Sequence, residues 1–322
     1  MTEIPTLDLG PYLAGDTGAL EALAFTLRKV QETIGFYVVI NHGVPQELIE
    51  QAYAGLREFF ALPIEEKLKL RIDKKSVGYI PAKSTVYVTS TININTQPDL
   101  NETITLARER PIDDPAIQQG LRFVGPNSWP KDLPEFRDAM LAYQSPLSDL
   151  GSALLPLYAR ALGLPKDYFA EFFTEPMWWT RNSYYPAVEP EENQYGISPH
   201  SDHSFITLLP LSDVPGLEIL LPNGEWLPAL PTNGGILVNT GEFLNRWTNG
   251  RFLATPHRVV TPSRDRYSMA MFFNPNADTL ATPLETCVSI EHPTAYDPVT
   301  MLDYMSWYID KNYKRESGGR QD

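Results

Sequence analysis

"SPHSDHSFITLLPL", Ser198 to Leu211, sets two histidines and a carboxylate in front of a run of strand-forming residues. On a β-strand, side chains two residues apart face the same way. His200 and Asp202 are therefore expected to project together from the edge of "SFITLL", with Ser201 and His203 turned elsewhere. By itself such a pair also suits a capped turn or a surface hydrogen bond, so its meaning depends on the rest of the chain.

The surroundings are β-rich. From Trp178 to about Ile290 the chain falls into short runs such as "MWWTRNSYYP", "GLEILL", "GEWLPAL", "GGILVNTG", "HRVVTP" and "RYSMAMFFNP", separated by Pro, Gly and Asn. Strands at this spacing predict an antiparallel barrel or jelly roll. Helical periodicity marks "GALEALAFTLRKVQETIG", "PQELIEQAYAGLREFFAL", the long "PEFRDAMLAYQSPLSDLGSALLPLYARALGL" and the C-terminal "DPVTMLDYMSWYIDKNYKR", with "ESGGRQD" as a frayed tail. "FYVVINHGVP" gives one early strand, and Ser76 to about Arg110 is irregular and β-prone, as a loop over a site would be. No repeat or low-complexity linker divides the chain. The expected arrangement is one integrated unit, mainly β with flanking helices: residues 1–110 as a mixed, largely helical region, and 111–322 as the long helix, the β-core and the C-terminal helix.

Composition narrows the function. In 322 residues, 43% are hydrophobic and 11% aromatic, enough to bury a large core. Forty acidic against 26 basic residues give a formal charge of −14, which disfavours nucleic acid and anionic membranes as partners. The single cysteine, Cys287, excludes an internal disulfide or a multi-cysteine metal site and suits a reducing cytosol. With no secretory leader pattern at "MTEIPTLDLGPYLAG" and no membrane-length apolar window, the expectation is a soluble, cytoplasmic protein, monomeric, acting on a small molecule.

A third ligand for a metal at His200 and Asp202 is available in "ATPHRVV", where His257 stands 55 residues beyond Asp202 (257 − 202) on another apolar strand. Two imidazoles and one carboxylate leave octahedral positions open, the pattern of non-haem Fe(II) oxygenases. Nine residues further on (266 − 257), "RDRYSMAMFF" places Arg266 and Ser268 two apart on one strand face. A buried guanidinium needs an anionic partner. A dicarboxylate chelating iron at one end would supply it, as would a structural ion pair with one of the many acidic residues.

The ordered set of motifs resembles the iron- and 2-oxoglutarate-dependent dioxygenases of the isopenicillin N synthase-like branch. "IPTLDLG" and "GFYVVINHGVP" match its N-terminal region, "GYIPA" and "PDLNETITL" its middle, and "HSDHSFITLL", "PGLEILLPNGEWLPALP", "NTGEFLNRWTNGRFLATPHRVV", "RYS" and "NPNADTLATPL" its catalytic core. The resemblance implies a double-stranded β-helix (jelly-roll) core with iron on His200, Asp202 and His257, and 2-oxoglutarate on Arg266 and Ser268. In the family's Arg/Lys-x-Asn-x-Tyr-Pro strand, here "RNSYYP", Tyr185 matches and Ser183 replaces the asparagine; both are candidates for holding the cosubstrate. Glu242 stands where an aspartate often follows the family's "NxG".

The implied reaction consumes Fe(II)-bound 2-oxoglutarate and O2, releases succinate and CO2, and hydroxylates, desaturates or cyclises a small organic substrate, with no catalytic residue beyond the metal ligands. The nearest alternative is an Fe(II) oxidase of the same branch that dispenses with 2-oxoglutarate. A zinc hydrolase lacks an evident catalytic glutamate, and a non-catalytic module would not need all five of His200, Asp202, His257, Arg266 and Ser268. Candidates for a partly apolar substrate pocket, suited to a secondary metabolite, are Ser76 to Glu102, Tyr79, Trp178, Trp179, Phe205 and Tyr304 to Tyr308, each equally suited to core packing. His42, His203 and His292 are expected to be structural or surface residues and Cys287 a small core residue.

Overall fold

The computed structural model describes residues 3–232 and 234–312. The expected frayed tail and the last turn of the C-terminal helix, from Tyr313 on, lie outside them. Two β-sheets form the core. The larger has eight strands in the spatial order Thr6–Asp8, Phe36–Ile40, Ile236–Thr240, Ile206–Pro210, Arg266–Asn274, Met177–Tyr185, Glu102–Ala107 and Gly78–Ile80. The smaller runs Ile197–His200, His257–Val259, Leu217–Leu220, Trp226–Pro228. Apart from the parallel pairing of the first two strands, neighbours in both sheets are antiparallel. This is the jelly-roll core that the strand spacing and the family resemblance anticipate.

The expected single early strand is a correction. Thr6–Asp8 also pairs, against Phe36–Ile40, and the irregular stretch after Ser76 contributes both Gly78–Ile80 and Glu102–Ala107 to the large sheet. These strands are three to six residues long, too short for a periodicity to stand out.

Helices cover the large sheet. Pro134–Ala161 buries Phe136, Met140, Leu147, Leu150 and Leu154 along one face, and it continues through Pro146 and Pro156 even though each removes a backbone donor. Gly151 lets it approach: a Cβ there would sit 2.8 Å from the ring of Phe273. Ala19–Thr33 and Gln46–Ala61 pack against this helix. The C-terminal helix begins at Met301, after the short strand Val299–Thr300, rather than at Asp297. Among the described residues, no helix is long and apolar enough to cross a membrane.

Candidate metal and cosubstrate site

One cavity between the two sheets is lined by all seven expected site residues: His200, Asp202 and His257, together with Ser183, Tyr185, Arg266 and Ser268. The small sheet supplies both histidines. Its register sets His257 directly opposite His200 on adjacent antiparallel strands, and the ring centroids lie 4.5 Å apart.

The expectation that His200 and Asp202 share a strand is corrected. The strand Ile197–His200 ends at the histidine, and the next begins at Ile206. Asp202 reaches the site from the intervening turn, which is pinned where the Glu242 amide donates to its carbonyl (2.7 Å). Gly241 makes room for that contact, since a Cβ there would lie 2.0 Å from the Ser204 carbonyl oxygen.

Each ligand presents one free atom to a common point. His200 Nδ1 donates to the Ser198 carbonyl (2.8 Å) and His257 Nδ1 to the Thr255 carbonyl (3.2 Å). A carbonyl only accepts, so Nδ1 carries the hydrogen in both rings and the Nε2 lone pairs are left for a metal. Thr207 Oγ1 and Asn239 Nδ2 each donate to Asp202 Oδ2 at 2.7 Å. Oδ1 remains, 3.8 Å from His200 Nε2 and 3.6 Å from His257 Nε2, too far for hydrogen bonds and suited to an ion between them. Among the described residues these three form the group of metal-ligating side chains, all buried, with ligand atoms within 4.8 Å of one another.

Their charge states are set by burial and by one another. Burial pushes the His200 imidazole down to about 3, helped by the neighbouring His257. Burial also lowers His257, but Asp202 outweighs it and raises the group overall. For Asp202, burial is overcome by the field of His257 and the bond from Asn239, so its carboxyl stays well below the usual carboxylate range. One anion and two imidazoles in a dry pocket match a divalent metal.

The other end of the cavity is cationic and incomplete. Arg266 is 3% exposed; its Nε donates to the Val214 carbonyl (3.1 Å) and its guanidinium lies 4.9 Å from the Tyr185 ring. Nη1 is buried without a hydrogen-bond partner, and no acidic side chain within ion-pair distance takes up the structural-pair alternative among the described residues. Ser268 Oγ and the Tyr185 hydroxyl stand 3.4 Å apart beside it. An orphaned guanidinium nitrogen is costly to bury. The donor set fits the far carboxylate of a dicarboxylate.

Sequence reasoning missed Thr207 and Asn239, which orient Asp202, and the pair Tyr87 and Arg181. The Tyr87 ring stacks on His200 at 4.4 Å, and its hydroxyl is hydrogen-bonded by Arg181. The "ITLL" and "LVNT" runs contain the first two, but which strand face they occupy depends on the turn before Ile206. Several expected pocket residues are core instead. Tyr79 is bound to Glu102, and Phe205 packs among Phe169, Phe173 and Trp247. His203 is not on a strand; it is buried against Trp179, Phe272 and Tyr308. His42 bonds the Gly234 carbonyl and the Val44 amide, as a structural residue. Cys287 is only partly buried, in the short turn Glu285–Cys287.

Comparison with known proteins agrees with this geometry. Residues 4–132 match the model of the non-haem dioxygenase in morphine synthesis N-terminal family, and residues 179–275 that of the 2OG-Fe(II) oxygenase superfamily. The 2-oxoglutarate-Fe(II) type oxidoreductase hxnY of Emericella nidulans is 30% identical over all of this chain and 93% of that one. The 2-oxoglutarate-dependent dioxygenase tropC of Talaromyces stipitatus is 31% identical over 88% and 89%. Among solved structures, a full-length Neurospora crassa protein in complex with alpha-KG and thymine superposes with a TM-score of 0.83 at 27% identity, covering 96% of each chain. The chain belongs to the 2OG-Fe(II) oxygenase superfamily. It is a 2-oxoglutarate-dependent dioxygenase, an oxidoreductase whose cofactors are Fe(II), 2-oxoglutarate and O2.

Proposed function

We propose that His200, Asp202 and His257 hold Fe(II), and that Arg266, Ser268 and Tyr185, with Ser183 beside them, hold 2-oxoglutarate. The carrying observation is the pairing, in one cavity, of a buried three-ligand cluster with a buried guanidinium whose Nη1 lacks a partner. The bound metal and cosubstrate supply oxidising power: 2-oxoglutarate is decarboxylated to succinate and CO2 while a C–H bond of the substrate is oxidised by O2. The protein's own residues position and exclude. Thr207 and Asn239 aim Asp202 Oδ1 at the metal point, and the Nδ1 bonds hold both imidazoles in their ligating tautomer. Phe36 sits edge-on to His257 at 5.4 Å and Tyr87 lies over His200, keeping water from the ligands.

The rings of Phe36, Tyr87 and Phe272, with Ile197, Leu209 and Leu217, line the cavity, and they favour a small, partly apolar substrate. The Neurospora structure with thymine supports a small-molecule substrate. Cytoplasmic location is favoured by the single cysteine and monomeric action by a cavity complete within one chain.

Anaerobic titration of Fe(II)-loaded protein with 2-oxoglutarate tests the assignment. The expected result is the visible charge-transfer band of the chelate in wild type, needing much more cosubstrate in Arg266→Gln. Iron binding without any band would instead favour the oxidase that dispenses with 2-oxoglutarate, a reading the family's 2-oxoglutarate-dependent members do not favour.

A further inference from the structure

The end of the helix Ala19–Thr33 leaves carbonyls that the helix itself cannot satisfy. Their partners come from the chain that leads into the metal ligand His257. The Leu253 amide donates to the Gln31 carbonyl (2.9 Å), and the Thr255 hydroxyl donates to the carbonyl of Ile34, the residue that ends the helix (2.6 Å). Thr255 is also the residue whose carbonyl accepts from His257 Nδ1 (3.2 Å). Its two polar groups therefore form one path: the hydroxyl is fixed to the helix end, and the carbonyl is fixed to the ligating ring.

The same turn of chain grips the strand behind Asp202. The Thr240 amide donates to the Gly35 carbonyl (3.2 Å), and the Thr240 hydroxyl donates to Gln31 Oε1. Gln31 is wholly buried, and its Nε2 donates to the Tyr158 hydroxyl (3.2 Å). Beside Thr240 stands Asn239, which holds Asp202 Oδ2 and is paired in register with Phe36. The Phe36 ring in turn meets His257 edge-on. Thr240 lies 209 residues from Gln31, and Thr255 lies 221 from Ile34. Neither contact exists until the helix has docked on the β-core, so the N-terminal region and the supports of two metal ligands are built together.

We propose that Thr255 is a positioning residue for the metal: by capping the helix end with its hydroxyl, it fixes the carbonyl that orients the His257 ring. Gln31 is its counterpart on the other arm, holding Thr240 and with it the strand from which Asn239 reaches Asp202. Partners that orient a ligand govern metal affinity because they set the direction of its lone pair before the metal arrives. This inference rests on the assignment of His200, Asp202 and His257 to the metal.

The test uses full-length protein under anaerobic conditions, with Fe(II) affinity measured by chelator competition and Co(II) added in place of iron to read the ligand geometry from its visible bands. Thr255→Val keeps the shape of the side chain and removes the hydroxyl. Its Fe(II) affinity should fall about 10–100-fold, and its Co(II) bands should shift. Thr255→Ser, which keeps the hydroxyl, should restore both. A lowered unfolding midpoint with wild-type metal affinity and wild-type Co(II) bands would overturn the proposal, because the hydroxyl would then serve the fold alone. So would a loss of affinity that the serine variant does not restore, which would assign the effect to the methyl group. If the valine variant does not fold, Gln31→Met decides the matter: it keeps the length of the side chain and drops the acceptor for Thr240. Weaker Fe(II) binding and shifted Co(II) bands are expected there too, and their absence would overturn the proposal. Failure of the wild type to bind either metal would overturn the assignment of the ligands themselves, a distinct result.

Discussion

The two ends of the cavity are built on opposite principles. At the metal end, every ligand atom not aimed at the common point is already satisfied: both Nδ1 atoms by backbone carbonyls, and Asp202 Oδ2 by Thr207 and Asn239. At the Arg266 end, a buried guanidinium nitrogen has no partner and two hydroxyls have only a long bond to each other (3.4 Å). The first is preorganised before any ligand arrives; the second is completed by its ligand. A metal tolerates little misplacement, which explains the rigid shell. A cosubstrate consumed in every turnover must enter and leave, which favours a pocket whose binding energy comes from relieving an unmet need.

Breaking the first principle should have the largest effect. Asp202→Ala removes the only anionic ligand and orphans the donors of Thr207 and Asn239, each such loss costing about 1–3 kcal/mol when buried. The variant should fold with a lowered unfolding midpoint and retain no stoichiometric iron by metal analysis after desalting. Normal iron content would remove Asp202 from the site. Arg266→Gln should come next: 2-oxoglutarate affinity falls by at least about thirtyfold, iron affinity changes little, and the cosubstrate-free protein loses only about 1 kcal/mol, because loss of the bond to Val214 and of the contact with the Tyr185 ring is offset by removal of an unpartnered buried nitrogen. Comparable loss of iron and cosubstrate would show that Arg266 supports the fold rather than the ligand.

Much of this contrast was legible in the sequence, and the missing part is the non-local part. Alternation within a strand is a local property, so Arg266 and Ser268 were placed on one face correctly. The same rule applied to His200 and Asp202 anticipates that they lie close together, but not how: the strand stops at His200 and Asp202 comes from a turn. What sets the two histidines face to face is the register between Ile197–His200 and His257–Val259, and nothing in either segment alone encodes that pairing. Tyr87 was hidden for the same reason. Its loop is tied along the His200 strand by Asn95, which bonds the Tyr87 and Pro199 carbonyls, and by Asp99 on Ser198. Tyr79 and Phe205 looked no different from pocket aromatics because burial against a core and burial against a ligand demand the same side chains.

Smaller changes sharpen the contrast. Asn239→Ala leaves all three metal ligands in place and removes one of the two donors that orient Asp202. Loss of such a supporting bond typically weakens metal binding 10–100-fold, so iron affinity should fall by about that factor while 2-oxoglutarate affinity, measured at saturating iron, stays near wild type. An effect on cosubstrate alone would mean that Asn239 works through the cavity rather than through the carboxylate.

The smallest effect is expected from Ser268→Ala, and it discriminates most finely between the two ends. The Ser268 hydroxyl is buried beside the Tyr185 hydroxyl and lines the cavity, yet no ligand-free bond depends on it except that long contact. If this end is completed by its ligand, removing the hydroxyl takes away one neutral hydrogen bond to the bound carboxylate and only the long bond to Tyr185 from the empty protein. One such bond is worth about 1 kcal/mol net, or roughly fivefold in cosubstrate affinity. The unfolding midpoint without 2-oxoglutarate should match wild type, and the stabilisation gained on adding 2-oxoglutarate should shrink. A drop in the ligand-free midpoint with unchanged cosubstrate affinity would reverse the contrast: Ser268 would then belong to a preorganised wall, and the Arg266 end would be as fully built before binding as the metal end.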